Sequence, residues 1–157
     1  MQELAVERRL VPVAIRFAGQ EVLRGQIFLS PMAKRHAGPE TVLDLMNDPE
    51  PFFVLRVEEE TPVRMINKER IVEVEIASAE QFGEDEDPTS TGAKEEPVSI
   101  TFQDDFVLAG TAYVEMPAAK SRLIDFLNIE EKFFALRAGD SAHIVSRKHI
   151  SHVKPGR

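Results

Sequence analysis

Residues 47–56 read N-D-P-E-P-F-F-V-L-R, and residues 128–137 read N-I-E-E-K-F-F-A-L-R. Both run from Asn through Glu three positions on to Phe-Phe-x-Leu-Arg. Asp44 matches Asp125 at the same offset of 81. Further upstream, Val13-x-Ile15-x-Phe17 matches Val98-x-Ile100-x-Phe102, and Val22-Leu23-x-Gly25 matches Val107-Leu108-x-Gly110, both at an offset of 85. Downstream, Ile71 and Val74 match Ile150 and Val153 at an offset of 79. These fifteen identities stay in register, and the offset changes only where loops are expected. One unit is written twice.

Each copy begins with two apolar-rich runs split by a polar turn, Ala18-Gly-Gln20 in the first and Gln103-Asp-Asp105 in the second, which predicts a hairpin. Gly25 and Gly110 fall inside the second strand, where glycine marks a bulge, a bend or a close backbone approach. A short helix follows, over 41–47 and 122–128. Thr41-x-x-Asp44 has the form of a capping box, and Ser121 is placed to cap the second helix. Asn47 and Asn128 fall where these helices should stop, at a position that tolerates the left-handed conformation.

Phe-Phe-x-Leu-Arg then reads as a strand. Alternation puts Phe53, Leu55 and Val57 on one face, matched by Phe134, Leu136 and Ala138. It puts Phe52, Val54 and Arg56 on the other, matched by Phe133, Ala135 and Arg137. A Phe on each face predicts cover on both sides, one from the unit's own core and one from the other copy. Phe52, Phe133, Arg56 and Arg137 are therefore the candidate interface residues. Two further short strands complete a β-β-α-β-β-β unit. The expected fold is α+β: a tandem duplication forming two small curled sheets packed about a pseudo-twofold axis. Repeat 1 is assigned to residues 1–77 and repeat 2 to residues 98–157. Units of this size are marginal alone, which favours pairing.

The intervening residues 78–97 hold one Lys and seven Asp/Glu among Pro, Gly, Ser and Thr, and read as an acidic flexible linker. They carry most of the net charge of −8. Residues 1–77 contribute −3, from 10 cations and 13 anions, and residues 98–157 contribute +1, from 8 and 7. Neither half has the basic surplus of a nucleic-acid footprint. With no Cys, disulfides and thiolate metal sites are excluded. The first residues lack the apolar core of a signal peptide, and no apolar run is long enough for a membrane span, so the expectation is a cytoplasmic protein.

No glycine-rich phosphate loop, G-x-S-x-G or H-E-x-x-H is present. His149 and His152, three apart on an expected strand, would point to opposite faces and make a poor metal pair. Asp44 and Asp125 could form an acid–base pair across the repeats, but an acid in the first turn of a helix is favoured by its dipole alone. No catalytic residue, cofactor or metal site is assigned.

Met116-Pro-x-x-x-Ser121-Arg-Leu-x-Asp125-x-Leu-Asn128, followed by Phe133-Phe-x-Leu and a terminal Ile-x-x-Val, resembles a family of uncharacterised bacterial proteins carrying one or two such units. The resemblance covers nearly all of both copies and implies no activity. The short bent strands are also similar to Sm-like small barrels, although there the helix precedes the first strand. The expected function is a non-catalytic interaction or regulatory module with a protein partner, self-association being possible. The alternative is an RNA- or nucleotide-binding small barrel.

Overall fold

The computed structural model describes residues 9–58, 63–83, 92–117, 119 and 122–156. Strands β1 (Arg9–Phe17) and β2 (Val22–Leu29) pair antiparallel from Arg9↔Leu29 to Arg16↔Val22. Gly19 and Gln20 close this hairpin with φ of 88° and 70°. Phe17 accepts from the Gln20 N–H at 3.0 Å and donates to the Glu21 carbonyl at 2.8 Å, so Ala18, Gly19 and Gln20 form a three-residue hairpin loop that ends on a left-handed residue. Helix α1 (Val42–Asn47) follows, then β3 (Phe52–Val57), β4 (Arg64–Asn67), a 3₁₀ turn (Lys68–Arg70) and β5 (Ile71–Ala77). The second repeat runs β6 (Lys94–Phe102), β7 (Val107–Val114), α3 (Leu123–Leu127), β8 (Phe133–Ala138), β9 (Ser141–Ser146), a 3₁₀ turn (Arg147–His149) and β10 (Ile150–Pro155). Each repeat thus has the element order β-β-α-β-β-β.

The stretch between the repeats is structured at both ends. Ser78–Phe82 forms helix α2, and Lys94 already belongs to β6. Residues 84–91, the acidic middle of the segment read as a linker, lie outside the described residues.

The expected class and sheet count are corrected. Among the described residues, strands make up 52% and helices 17%, so the fold is mostly β rather than α+β. The helices, at five or six residues each, are too short to form a layer. Nor are there two sheets. A single ten-stranded antiparallel sheet runs β10-β6-β7-β8-β9-β5-β1-β2-β3-β4. Within each repeat the last strand pairs beside the first, leaving that last strand with a free edge. β5 uses its free edge to pair with β9, from Glu73↔Val145 to Ala77↔Ser141. A closed twofold arrangement would also pair β10 with β4. Those two strands are instead the ends of the sheet.

Gly25 and Gly110 are close-approach positions. A Cβ on Gly25 would lie 2.4 Å from the carbonyl oxygen of Arg56, and one on Gly110 would lie 2.7 Å from that of Arg137. The repeated glycines let the second strand of each repeat cross tightly against the third.

The two cores interlock. The first cluster contains Val11, Ile15, Ile27, Val42, Leu55 and other first-repeat residues, together with Phe133, Ala142 and Ile144 of the second. The second cluster, built on Ile100, Phe102, Phe134 and Leu136, takes in Val72 of β5.

Candidate functional site

The loops leaving α1 and α3 and the two 3₁₀ turns meet at the junction of the repeats. They enclose a cleft of about 560 Å³. Its walls come from equivalent positions: Met46 and Leu127, Glu50 and Glu131, Lys68 and Arg147, Glu69 and Lys148.

Lys68 and Arg147 serve their own repeats. Lys68 is buried, and its Nζ donates to the Asp48 carbonyl at 3.0 Å. Burial pulls its pKa below the ordinary lysine value, against the pull of nearby carboxylates. Arg147 donates to the carbonyls of Phe126 (3.0 Å), Leu127 (3.3 Å), Glu131 (2.7 Å) and Phe133 (3.3 Å), and its guanidinium lies over the rings of Phe126 and Phe134. These two cations fix the loops between helix and third strand by satisfying carbonyls that no ladder reaches. Glu69, whose carboxyl is held below its ordinary pKa chiefly by Lys148, joins the turns: Lys148 donates to Oε1 and Lys132 lies 3.5 Å from Oε2.

A buried polar network ties three strands and a turn together beside this junction. Glu73 on β5 accepts from Arg16 Nε on β1 at 3.0 Å and bonds His143 Nδ1 on β9 at 2.5 Å. Arg16 Nη1 reaches Asp104 Oδ2 in the β6–β7 turn at 2.9 Å, and the guanidinium lies 3.9 Å from the ring centroid of Phe106. Burial pushes the Glu73 carboxyl up, but the bonds from His143 and Arg16 outweigh it and hold the pKa below the ordinary carboxylate value. The repeat pattern did not mark this network, because its members are not repeated. The available signal was Arg16 and Glu73 inside otherwise apolar strand runs.

The four candidate interface residues are treated unequally by the fold. Phe133 is 3% exposed and sits in the first repeat's core. Phe52 is 54% exposed. Arg137 is half-buried, with its guanidinium 6.0 Å from the ring centroid of Phe82 on α2, whereas Arg56 is exposed. On the inward faces, Phe53, Leu55 and Val57 are buried, as are Phe134 and Leu136.

Asp44 and Asp125 are not brought together as a pair. Asp44 accepts from the Thr41 N–H at 2.8 Å while Thr41 Oγ1 accepts from the Asp44 N–H at 3.1 Å, the expected capping box. His36 Nε2 also lies 2.7 Å from Asp44 Oδ2. Asp125 is held by Arg122, the N-cap of α3, and Ser121 lies outside the described residues. His149 belongs to the 3₁₀ turn, not to a strand, and its Nε2 lies 2.9 Å from the Glu69 carbonyl oxygen. Asn128 does occupy the C-cap of α3, but with φ of −92° rather than a left-handed conformation. Asn47 is the last residue of α1, and its side chain reaches across the repeats to Phe133.

Among the described residues, nothing covers the second face of the β3–β4 hairpin. Phe52 and Val54 of β3 and Val63 and Met65 beside them all expose apolar side chains, with Met65 at 71%. Val54 lies directly opposite Met65 in the ladder. Among the described residues, no strand lies beside the outer edge of β4. No helix of the described residues is long and apolar enough to cross a membrane. No protein-family model matches the chain, nor does any curated protein or solved structure.

Proposed function

We propose that this chain is a non-catalytic interaction or regulatory module whose protein partner docks on the face of β3 and β4. The observation that carries the reading is the contiguous apolar set Phe52, Val54 and Met65 beside an unpaired edge strand. Exposed apolar patches and open strand edges are both costly to leave bare in solution, and each is a recognised docking feature. Together they suit a partner that adds backbone hydrogen bonds along β4 and apolar side chains over Phe52 and Met65. The inter-repeat cleft supports a recognition site for RNA or nucleotides less well. Its walls carry four cations, Lys68, Lys132, Arg147 and Lys148, against five carboxylates, and Lys132 and Lys148 are both engaged by Glu69. The test is photo-crosslinking in the native cell from an unnatural residue at position 54, with and without Met65→Glu. A protein adduct that the Met65 variant loses supports the reading. Adducts unchanged by that variant, or none at all, count against it.

A further inference from the structure

The sequence duplication says what the bare face was built to meet. Each exposed apolar residue on it has a counterpart in the second repeat, and every counterpart is covered. Phe52, 54% exposed, corresponds to Phe133, 3% exposed. Met65, 71% exposed, corresponds to Ile144, fully buried. Val54 and Val63 correspond to Ala135, partly buried, and Ala142, fully buried. What covers the second repeat's face is the first repeat: α1 lies on β8 and β9, and β5 pairs along β9.

The covering side is duplicated as well, and its second copy is also incomplete. On the first repeat, Val42 and Met46 of α1 and Ile71 and Val74 of β5 are buried. Their counterparts Leu123, Leu127, Ile150 and Val153 are only partly buried. Ile124, the counterpart of the partly buried Leu43, is 54% exposed. The edge of β10, equivalent to the edge β5 gives to β9, has no strand partner among the described residues. One molecule therefore carries both unsatisfied halves of an interface it already makes once internally.

We propose that the partner for the β3–β4 face is a second copy of this chain, docking head to tail through its α3 and β10. The proposal rests on the interaction-module reading and names its partner. The internal ladder supplies the register: Val74↔Ile144 becomes Val153 of one copy opposite Met65 of the next. The bracket that Asn47 places on Phe133 becomes one from Asn128 to Phe52. Two differences make the joint between copies weaker than the internal one. Pro155 stands where Ile76 does and has no N–H to donate. Lys154, standing where Glu75 does, would face Arg64. The external joint is therefore reversible and set by concentration. Because it joins two different surfaces, it builds rings or open chains rather than a self-complementary pair.

The test is sedimentation velocity on the full chain from about 1 to about 100 µM, with Met65→Glu and Ile124→Glu. Both positions are exposed, so both variants should fold, and circular dichroism checks that they do. Wild type should associate as concentration rises. Each variant alone should be at least tenfold weaker. Mixed one to one, the variants should form a heterodimer, because each retains the surface the other has lost. Wild type that stays monomeric throughout overturns the proposal. So does Ile124→Glu that associates like wild type, which would place a self-complementary joint at β3–β4, and so does a mixture that stays monomeric. If wild type is monomeric while Met65→Glu still loses a cellular crosslink, self-association fails and the interaction reading stands. If neither effect is seen, both fall.

Discussion

Asn47 in the first repeat brackets Phe133 in the second: its Nδ2 donates to the Phe133 carbonyl at 3.1 Å, and its Oδ1 accepts from the Phe133 N–H at 2.9 Å. The equivalent pair, Asn128 and Phe52, makes no such contact among the described residues, and both residues are exposed. Asn47→Ala would leave the part-buried Phe133 N–H without its partner and the Phe133 carbonyl with only the longer bond from Arg147, at a cost of about 1–3 kcal/mol. Asn128→Ala should cost no more than about 0.5 kcal/mol. Urea unfolding of the two variants measures the difference, and equal losses would refute the asymmetry.

The doubled Phe gives a sharper version of the same contrast. Phe133→Ala removes a buried ring from the first repeat's core and should cost about 3–5 kcal/mol. Phe52→Ala, at the matching position, should stay within about 0.5 kcal/mol for the monomer. Thermal and urea midpoints at a concentration where the protein is monomeric decide the point.

Substituting the repeated glycines should destabilise both repeats, and not to the same degree. An added Cβ at Gly25 meets the Arg56 carbonyl oxygen at 2.4 Å, a backbone atom fixed in the ladder. At Gly110 the approach is 2.7 Å to the Arg137 oxygen and 2.8 Å to the Leu136 side chain. Overpacking of this kind costs about 1–3 kcal/mol, and Gly25→Ala should lie at the upper end with Gly110→Ala below it. The reverse order in denaturant midpoints would show that β2 yields to the added Cβ more easily than β7.

Acid should act through Glu73. Its carboxyl titrates below the ordinary value when folded, so the unfolded chain takes up the proton first. The resulting stabilisation is full above the unfolded pKa of about 4.3 and is lost as pH falls through the folded value. Glu73→Gln removes this titration. It should lower stability at pH 7, because Arg16 and His143 lose a buried anionic partner, and it should flatten the loss as pH falls below about 4.3. Denaturant midpoints across that range, equally steep for wild type and variant, would assign the acid sensitivity elsewhere.

What the sequence determined by itself is what depends on neighbours along the chain. Alternation placed Phe53, Leu55, Phe134 and Leu136 inward. The turn residues marked the hairpin at Gly19-Gln20, and the Thr41–Asp44 box capped α1. The internal match of fifteen positions predicted the same β-β-α-β-β-β order in both halves. Tertiary structure decided which of two nearly identical surfaces is covered. Each repeat ends with a free edge on its last strand and an apolar face on its third and fourth. Among the described residues one strand joint links the repeats, β5 on β9. That choice merged two expected sheets into one, buried Phe133, exposed Phe52, and brought Arg16, Glu73, His143 and Asp104 together from four distant segments. Its physical basis is a competition between whole surfaces. Ile76 at one edge and Pro155 at the other differ in whether they can donate an N–H, but neither residue reveals the outcome until both edges are compared against the same partner.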